Sequence, residues 1–395
     1  MSEQLQTKTR LSQTVASLKP SGIRRFFDLA ASMEGVISLG VGEPDFVTPW
    51  RAREACISSL ERGYTAYTSN AGMIELRREI CRYLENRFSL SYHPETEVLV
   101  TVGASEAIDI GLRAVLDPGD EVLIVEPCYV SYEPIVRLAG GVPVFIRTSV
   151  ENNFKLTAEE LEANITSKTK AIIFCYPNNP TGSTMNHDEW QQLIPIINKY
   201  DLMVLSDEIY AELTYGSLHQ SIASIPGMKD RTIMISGFSK AYAMTGWRLG
   251  YVCAPPDLLS GMLKIHQYTM LCAPVMAQMA ALEALRFGQD DVDRMVESYK
   301  QRRNFVVDSF RQIGLSCHEP EGAFYAFPSI QSTGLLSNEF AERLLLEEKV
   351  AVVPGEVFGE SGHGHIRCSY ATSLEQLDKA MERIDRMVSK LKVLS

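Results

Sequence analysis

The chain has 395 residues, 45% of them apolar and 22% charged, which is the balance of a folded globular protein and excludes a disordered or fibrous one. Its 38 Lys and Arg against 49 Asp and Glu leave a net charge of −11, which argues against a nucleic-acid backbone or an anionic membrane as the main partner. At ~150 residues per domain the length suggests two or three domains.

Read from the N-terminus, Met-Ser-Glu-Gln begins no apolar signal stretch, and Asp28 and Glu34 interrupt what a twin-arginine reading of Arg24-Arg25 would need. The first ~45 residues lack a clear period, so an arm packed on another part of the chain is expected. Strands are expected at Glu97–Val102, Glu121–Val125, Val142–Ile146, Ala171–Cys175, Leu202–Ser206, Thr232–Ser236 and Leu249–Cys253. Each is a nearly continuous apolar run, the pattern of strands buried on both faces. Helices are expected between several of them, for example at Ala104–Leu116 and His187–Lys199, and Asp117-Pro-Gly-Asp120 is a turn that stops the first. This alternation predicts an α/β fold with a seven-stranded, mostly parallel sheet wrapped by helices.

The run Ile265–Leu282 is uncharged, but His266, Gln267, Pro274 and Gln278 make it a buried helical segment and not a membrane span. It belongs to a long helical stretch from Asp257 to Ile313 with one break near Gly288–Asp291. Short strands at Ala323–Phe327, Val350–Val353 and His365–Ser369 then alternate with helices at Asn338–Glu348 and Leu374–Lys390, predicting a smaller α+β domain. The expected division is an arm over 1–48 that joins the small domain, a large domain over 49–285 and the small domain over 286–395. Eight cysteines without a C-x-x-C pair read as free thiols of a reducing compartment, and a cytoplasmic chain is expected.

In an open parallel sheet, ligands bind beyond the carboxyl ends of the strands. There the sequence places Gly103-Ala104-Ser105, Glu126-Pro-Cys-Tyr129, Tyr176-Pro-Asn-Asn179-Pro-Thr-Gly182, Asp207-Glu-Ile-Tyr210 and Gly237-Phe-Ser239-Lys240. Packing does not require five polar clusters after five strands; one shared pocket accounts for them. Gly103-Ala104-Ser105 opens a helix whose free N–H groups and dipole suit an anion, to which Ser239 and Arg248 add a hydroxyl and a guanidinium. Tyr129 suits the face of a flat ring, Asp207 a protonated ring nitrogen, and Tyr210 with Asn179 a phenolate oxygen. Lys240 suits an imine, since a desolvated lysine near cations loses its proton readily. A phosphate, a basic heterocycle, a phenolate and an aldehyde together describe pyridoxal 5′-phosphate.

Taken singly, each residue has a plainer reading: Lys240 as a surface charge, Asp207 as a helix cap, Asn179-Pro180 as a turn, Tyr129 as core. Arg367 lies inside an apolar strand pattern, where an unpaired charge is costly, so it is expected to face a ligand or a buried acid. Other motifs fail: Gly40-Val-Gly42 lacks the third glycine of a dinucleotide fingerprint, Ser236 stands four and not three residues before Lys240, and His363-Gly-His365 reads as a loop, so no metal is expected.

Asn179-Pro-Thr-Gly182, Ser206-Asp-Glu-Ile-Tyr210 and Ser236-Gly-Phe-Ser-Lys240-Ala-Tyr-Ala-Met-Thr-Gly-Trp-Arg248-Leu-Gly250 resemble the class I/II aminotransferases, fold-type-I enzymes dependent on pyridoxal phosphate. Gly40-Val-Gly42-Glu-Pro-Asp-Phe46, Tyr67-Thr-Ser-Asn-Ala-Gly72, Gly322-Ala-Phe-Tyr325 and Ile366-Arg367-Cys-Ser369 extend the resemblance essentially end to end, and the variant is similar to the aspartate aminotransferase-like Iγ branch. The resemblance implies a ping-pong transamination through a Lys240 aldimine, from an L-amino acid to a 2-oxo acid such as 2-oxoglutarate or pyruvate. It makes Lys240 the Schiff-base lysine and then the general base and acid, and Asp207 the partner of the pyridinium nitrogen. Tyr210 and Asn179 become the pair on the phenolic oxygen, Tyr129 the stacking ring, and Gly103, Ala104, Ser105, Ser239 and Arg248 the phosphate cup. Tyr67 matches a tyrosine that reaches the phosphate of the neighbouring subunit, which implies a homodimer with shared active sites. Arg367 matches the clamp on the substrate α-carboxylate, with Gly42 and Asn179 also at the substrate.

There are departures from that pattern. The position three before the lysine is often serine in such enzymes and here is Gly237, and no residue matches the arginine that reads a distal carboxylate, so strict dicarboxylate specificity is not expected. Ile23 and Arg24, in an arm closing over the side-chain pocket, are the candidate specificity determinants. Two rival functions use the same pattern: β-elimination by a pyridoxal-phosphate lyase, and a non-catalytic regulator on this fold. The latter would carry an added DNA-binding domain, for which the ~20 residues before Pro20 are too few.

Overall fold

The apolar runs become strands in the computed structural model, which describes residues 10–20, 22 and 33–394. After a short β1 (Ile37–Ser38) come β2 (Val98–Thr101), β3 (Glu121–Glu126), β4 (Val142–Arg147), β5 (Thr169–Cys175), β6 (Met203–Asp207), β7 (Thr232–Gly237) and β8 (Gly250–Cys253). Strands β2 to β8 form a seven-stranded sheet in the order β2-β8-β7-β6-β5-β3-β4. β8 is antiparallel to both its neighbours and every other pairing is parallel, as expected of a mostly parallel sheet. The carboxyl ends of β2, β3, β5, β6 and β7 therefore share one edge.

The pleat sorts the apolar runs between two cores. Val122 and Ile124 of β3 face one cluster and Leu123 and Val125 the other; Ile173 with Cys175 and Ile172 with Phe174 divide β5 in the same way. Each fully buried aliphatic side chain contributes roughly 1.5–3 kcal/mol, so the sheet edge is a rigid platform for whatever stands on it. The helix His187–Lys199 starts where the sequence expects it because Asn186 and Glu189 cap each other reciprocally: Glu189 N–H donates to Asn186 Oδ1 at 2.9 Å and Asn186 N–H to Glu189 Oε2 at 2.7 Å.

The C-terminal part adds β9 (Tyr325–Ala326), β10 (Val350–Ala351), β11 (Val353–Pro354) and β12 (Ile366–Ser369). The sequence reads Val350–Val353 as one strand; the structure divides it. β10 pairs in parallel with β1, which ties the N-terminal segment to the C-terminal part, whereas β11 is the edge of a three-stranded sheet ordered β11-β12-β9. Pro354 has no N–H to give to a ladder, which suits it to that edge. The helical stretch after residue 256 also differs from expectation. It forms Pro256–Thr269, Val275–Phe287 and Gln289–Ile313, with a second break over 270–274 besides the one at Gly288. Pro274 lacks an amide donor and disfavours helical geometry at Ala273, and Leu271 adopts φ +69°, so the chain turns there.

Candidate active site

The shared edge of the sheet gathers the residues that the sequence analysis singled out. Asp207 ends β6, Lys240 follows β7, Asn179 follows β5 and Gly103 follows β2, each where a strand runs out and its next backbone groups are free of the ladder. Lys240 is half-buried, and its Nζ donates to Gly42 O at 2.5 Å and lies 5.8 Å from the ring centroids of both Tyr210 and Phe324. Its pKa is lowered to about 8, chiefly by burial and with Arg367 and Arg248 acting in the same direction, while Glu43 and Asp207 oppose them. Nζ is thus an amine poised to lose its proton near neutrality.

The sign of that shift makes a prediction. The folded chain releases the Lys240 proton at a lower pH than the unfolded chain, so this group's contribution to stability rises as pH climbs from about 8 towards the ordinary lysine value of 10.5. The neutral amine also grows from roughly a tenth to roughly nine tenths of the total between pH 7 and pH 9. Capture of pyridoxal 5′-phosphate by the cofactor-free chain, followed by stopped-flow absorbance, should quicken about tenfold over that range. A flat profile would contradict it.

Asp207 is buried, and burial raises its pKa to about 6 against the pull of two donors: Tyr132 O–H donates to Oδ2 at 2.7 Å and Ile209 N–H to Oδ1 at 3.2 Å. A cation opposite this carboxylate would hold it ionised. Tyr210 shares a hydrogen bond with Tyr325 through their hydroxyls at 2.9 Å. The Arg367 guanidinium is 3% exposed; Nη1 donates to Asn179 Oδ1 at 2.8 Å and Nη2 to Gly40 O at 2.7 Å. Its carbon lies 4.4 Å from the Tyr325 ring centroid and 4.8 Å from that of Phe358. Arg367 Nε is buried with no hydrogen-bond partner, an orphaned donor that a bound carboxylate would satisfy. Because Asn179 gives its oxygen to Arg367, its amide N–H groups remain for a second acceptor.

At the end of β2, Gly103 has φ +79° and stands at the start of the helix Ala104–Val115. A Cβ on Gly103 would come within 2.7 Å of Arg248 Nη2, and one on Gly250 within 2.6 Å of the Ala104 amide. Glycine alone lets the guanidinium and strand β8 close on the helix start. Ser239 is buried nearby in the chain after β7, Ala104 is half-buried and Ser105 exposed. Helix N–H groups, a guanidinium and a hydroxyl form a donor set that fits a phosphate dianion. With Lys240 and Asp207 added, the residues present fit pyridoxal 5′-phosphate. The departure at Gly237 also has a cause: a side chain there would meet Gly250 Cα at 2.9 Å, so a serine cannot enter without moving β8.

Tyr129 is half-buried with its ring edge-on to Tyr132 at 5.6 Å. Tyr67 is 82% exposed. Ile23 and Arg24 lie outside the described residues. Sequence reasoning missed Tyr132, which opens the helix Tyr132–Leu138 three residues after Tyr129, and Tyr325, whose hydroxyl would be 2.7 Å from a Cβ on Gly42 and whose ring underlies Arg367. The motif containing Tyr325 was visible in the sequence, but its reach to Tyr210, Gly42 and Arg367 at once was not.

Residues 34–384 match the family described as aminotransferase class I and II. The chain is 62% identical over 380 residues to the Bacillus subtilis protein YugH, named as an aminotransferase, covering 96% of this chain and 98% of that one. It is 44% identical over 386 residues to the aspartate aminotransferase of Pyrococcus abyssi, covering 97% and 99%. It superposes on the crystal structure of an aromatic aminotransferase from Pyrococcus horikoshii with a TM-score of 0.89 at 42% identity, covering 94% and 99%.

Proposed function

The chain belongs to the class I and II aminotransferases, and on that premise we propose that it holds pyridoxal 5′-phosphate between Lys240, Asp207, Tyr210 and Arg248 and moves an amino group from an L-amino acid to 2-oxoglutarate or pyruvate. Bound there, the cofactor supplies an aldehyde that condenses with amines and a ring that takes up the electron pair left at the substrate Cα.

The chain's own groups do the rest. Lys240 Nζ would be the tethering amine and, once displaced, the base that takes the substrate Cα proton and hands it to the carbon that had been the cofactor's aldehyde. The observation that carries the reading is this amine, with its pKa lowered to about 8, facing the Tyr210 ring and flanked by the charges of Asp207 and Arg367. Asp207 keeps the ring nitrogen protonated, and Tyr132 orients the carboxylate for it. Tyr210 and the Asn179 amide hold the phenolic oxygen, and Tyr129 covers the ring. Gly103, Ala104, Ser105, Ser239 and Arg248 hold the phosphate through charge-assisted hydrogen bonds. Arg367 grips the α-carboxylate, which its unpartnered Nε supports, with Gly42 alongside. Emptied of 2-oxo acid, the same site receives the second one and runs the proton transfer in reverse, which is the ping-pong cycle.

The proposal extends to a homodimer in which Tyr67 reaches the neighbouring site; its 82% exposure in one chain supports this. It extends also to a cytoplasmic location, supported by eight free cysteines, and to the division at 1–48, 49–285 and 286–395, supported by the pairing of β1 with β10. Among the described residues no helix is long and apolar enough to cross a membrane. The test is a half-reaction screen. Each amino acid in turn should bleach the near-visible absorbance of the lysine-bound cofactor and release its 2-oxo acid, and a 2-oxo acid should restore the band. Pyruvate release from a β-substituted amino acid without any acceptor, with no bleaching by unsubstituted ones, would overturn the proposal.

A further inference from the structure

Behind the helix start that faces Arg248 lies a buried acid–base pair with no part in the chemistry above. Glu106, in the first turn of the helix Ala104–Val115, is 8% exposed, and His266 in the helix Pro256–Thr269 is fully buried. His266 Nδ1 meets Glu106 Oε1 at 2.5 Å, and Val102 N–H donates to Glu106 Oε2 at 2.5 Å. One carboxylate therefore joins the residue before Gly103 to the second helix, so the turn Val102–Gly103–Ala104 is held from behind while β8 presses on it from the side. His266 Nε2 is buried without a partner, so its one hydrogen bond through the ring, to Glu106, carries the whole polar burden of that side chain.

The second helix ends at this histidine's turn. His266 O accepts from Met270 N–H at 2.8 Å and Leu271 N–H at 3.0 Å, and Leu271 O accepts from Asn70 Nδ2 at 2.7 Å. Asn70 sits three residues after Tyr67. The pair thus stands at the junction of the chain's own helix start and the segment that carries Tyr67.

We propose that His266, acting through Glu106, is the positioning residue of the phosphate cup: it fixes the Val102–Ala104 turn so that the helix N–H groups and Arg248 converge on the cofactor phosphate. This rests on the reading that the pocket holds pyridoxal 5′-phosphate. No hydrogen bond joins either side chain to Lys240, Asp207, Tyr210 or Arg367, so their contribution is expected to be confined to the phosphate.

The test compares equilibrium binding of pyridoxal 5′-phosphate and of pyridoxal, which lacks the phosphate, to cofactor-free chains. His266→Ala is expected to weaken binding of the phosphate ester about tenfold, a change of ~1.4 kcal/mol, and to leave pyridoxal binding within twofold. His266→Gln, whose amide N–H still reaches a carboxylate, should restore most of the affinity. Glu106→Ala, which also removes the acceptor of Val102 N–H, should weaken binding of the phosphate ester at least as much as His266→Ala, and the double variant should be no weaker than Glu106→Ala alone. At saturating cofactor the KM for the amino acid should stay within twofold. Equal loss for both ligands, an additive double variant, or unchanged affinity for the phosphate ester would overturn the assignment, and Glu106→Ala keeps the test open if His266→Ala does not fold. Failure of the underlying reading would look different, because then the unaltered chain itself would not distinguish the phosphate ester from pyridoxal.

Discussion

Lys240→Ala should abolish the near-visible absorbance that pyridoxal 5′-phosphate acquires on the unaltered chain and lower transamination by on the order of 10⁴-fold or more, the upper range for a positioned general acid–base. Among the described residues no other amine is placed to substitute. Nζ lies against Gly42 O and between the rings of Tyr210 and Phe324, and the nearby cations are the guanidinium groups of Arg367 and Arg248, which are planar forks and not amines. Methylamine added to the variant should recover part of the rate, since a small amine fits the space that the lysine side chain vacates. The loss should occur without unfolding. The lysine's lowered pKa means that the folded chain carries this charge at an energetic cost below pH ~8, so removing it should leave the melting temperature at pH 7 equal or higher. Retained turnover at the normal rate would remove the basis of the proposed mechanism, and a fall in melting temperature would show a structural role instead.

The second large effect is expected at Arg367. Arg367→Lys keeps the charge and loses the planar fork, the donation through two arms to Asn179 and Gly40, and the stacking against Tyr325 and Phe358. The contact at stake with an α-carboxylate is a charge-assisted hydrogen-bond pair worth about 1.5–3 kcal/mol, so KM should rise roughly ten- to 150-fold. Every amino acid carries the same α-carboxylate, so L-aspartate, L-alanine and L-tyrosine should all lose affinity by a similar factor while their ratios hold. The near-visible band of the resting variant should remain, because Arg367 is assigned to the substrate and not to the cofactor phosphate. An effect confined to L-aspartate would reassign this arginine to the side chain.

These experiments test residues that came to light in different ways. Arg367 was legible in the sequence because a charge inside a nearly continuous apolar strand run is costly. Lys240 and Asp207, each with a plainer reading when taken singly, were legible through their place after buried strands together with the resemblance to the aminotransferases. Tyr132, Tyr325, Phe358 and His266 carry no such mark. An aromatic residue or a histidine among apolar neighbours reads as core in one dimension, and its hydroxyl or ring nitrogen acquires a task only when a distant segment arrives. Tyr325 meets Tyr210 across 115 positions and His266 meets Glu106 across 160.

The sequence by itself determined the sheet, since strand runs buried on both faces admit few architectures, and it determined the strand ends on which ligand chemistry gathers. Local stereochemistry likewise fixed the helix start at His187 through its capping box. Tertiary structure alone decided where the C-terminal strands paired. Val350–Ala351 and Val353–Pro354 are adjacent in the chain yet join different sheets, because pairing depends on which edges are open and not on the propensity of a two-residue run. It also decided the protonation chemistry. Whether Lys240 is an ordinary surface cation or an amine with a pKa near 8 depends on burial and on charges from Glu43, Asp207, Arg248 and Arg367, and only the fold brings those groups within reach of one another.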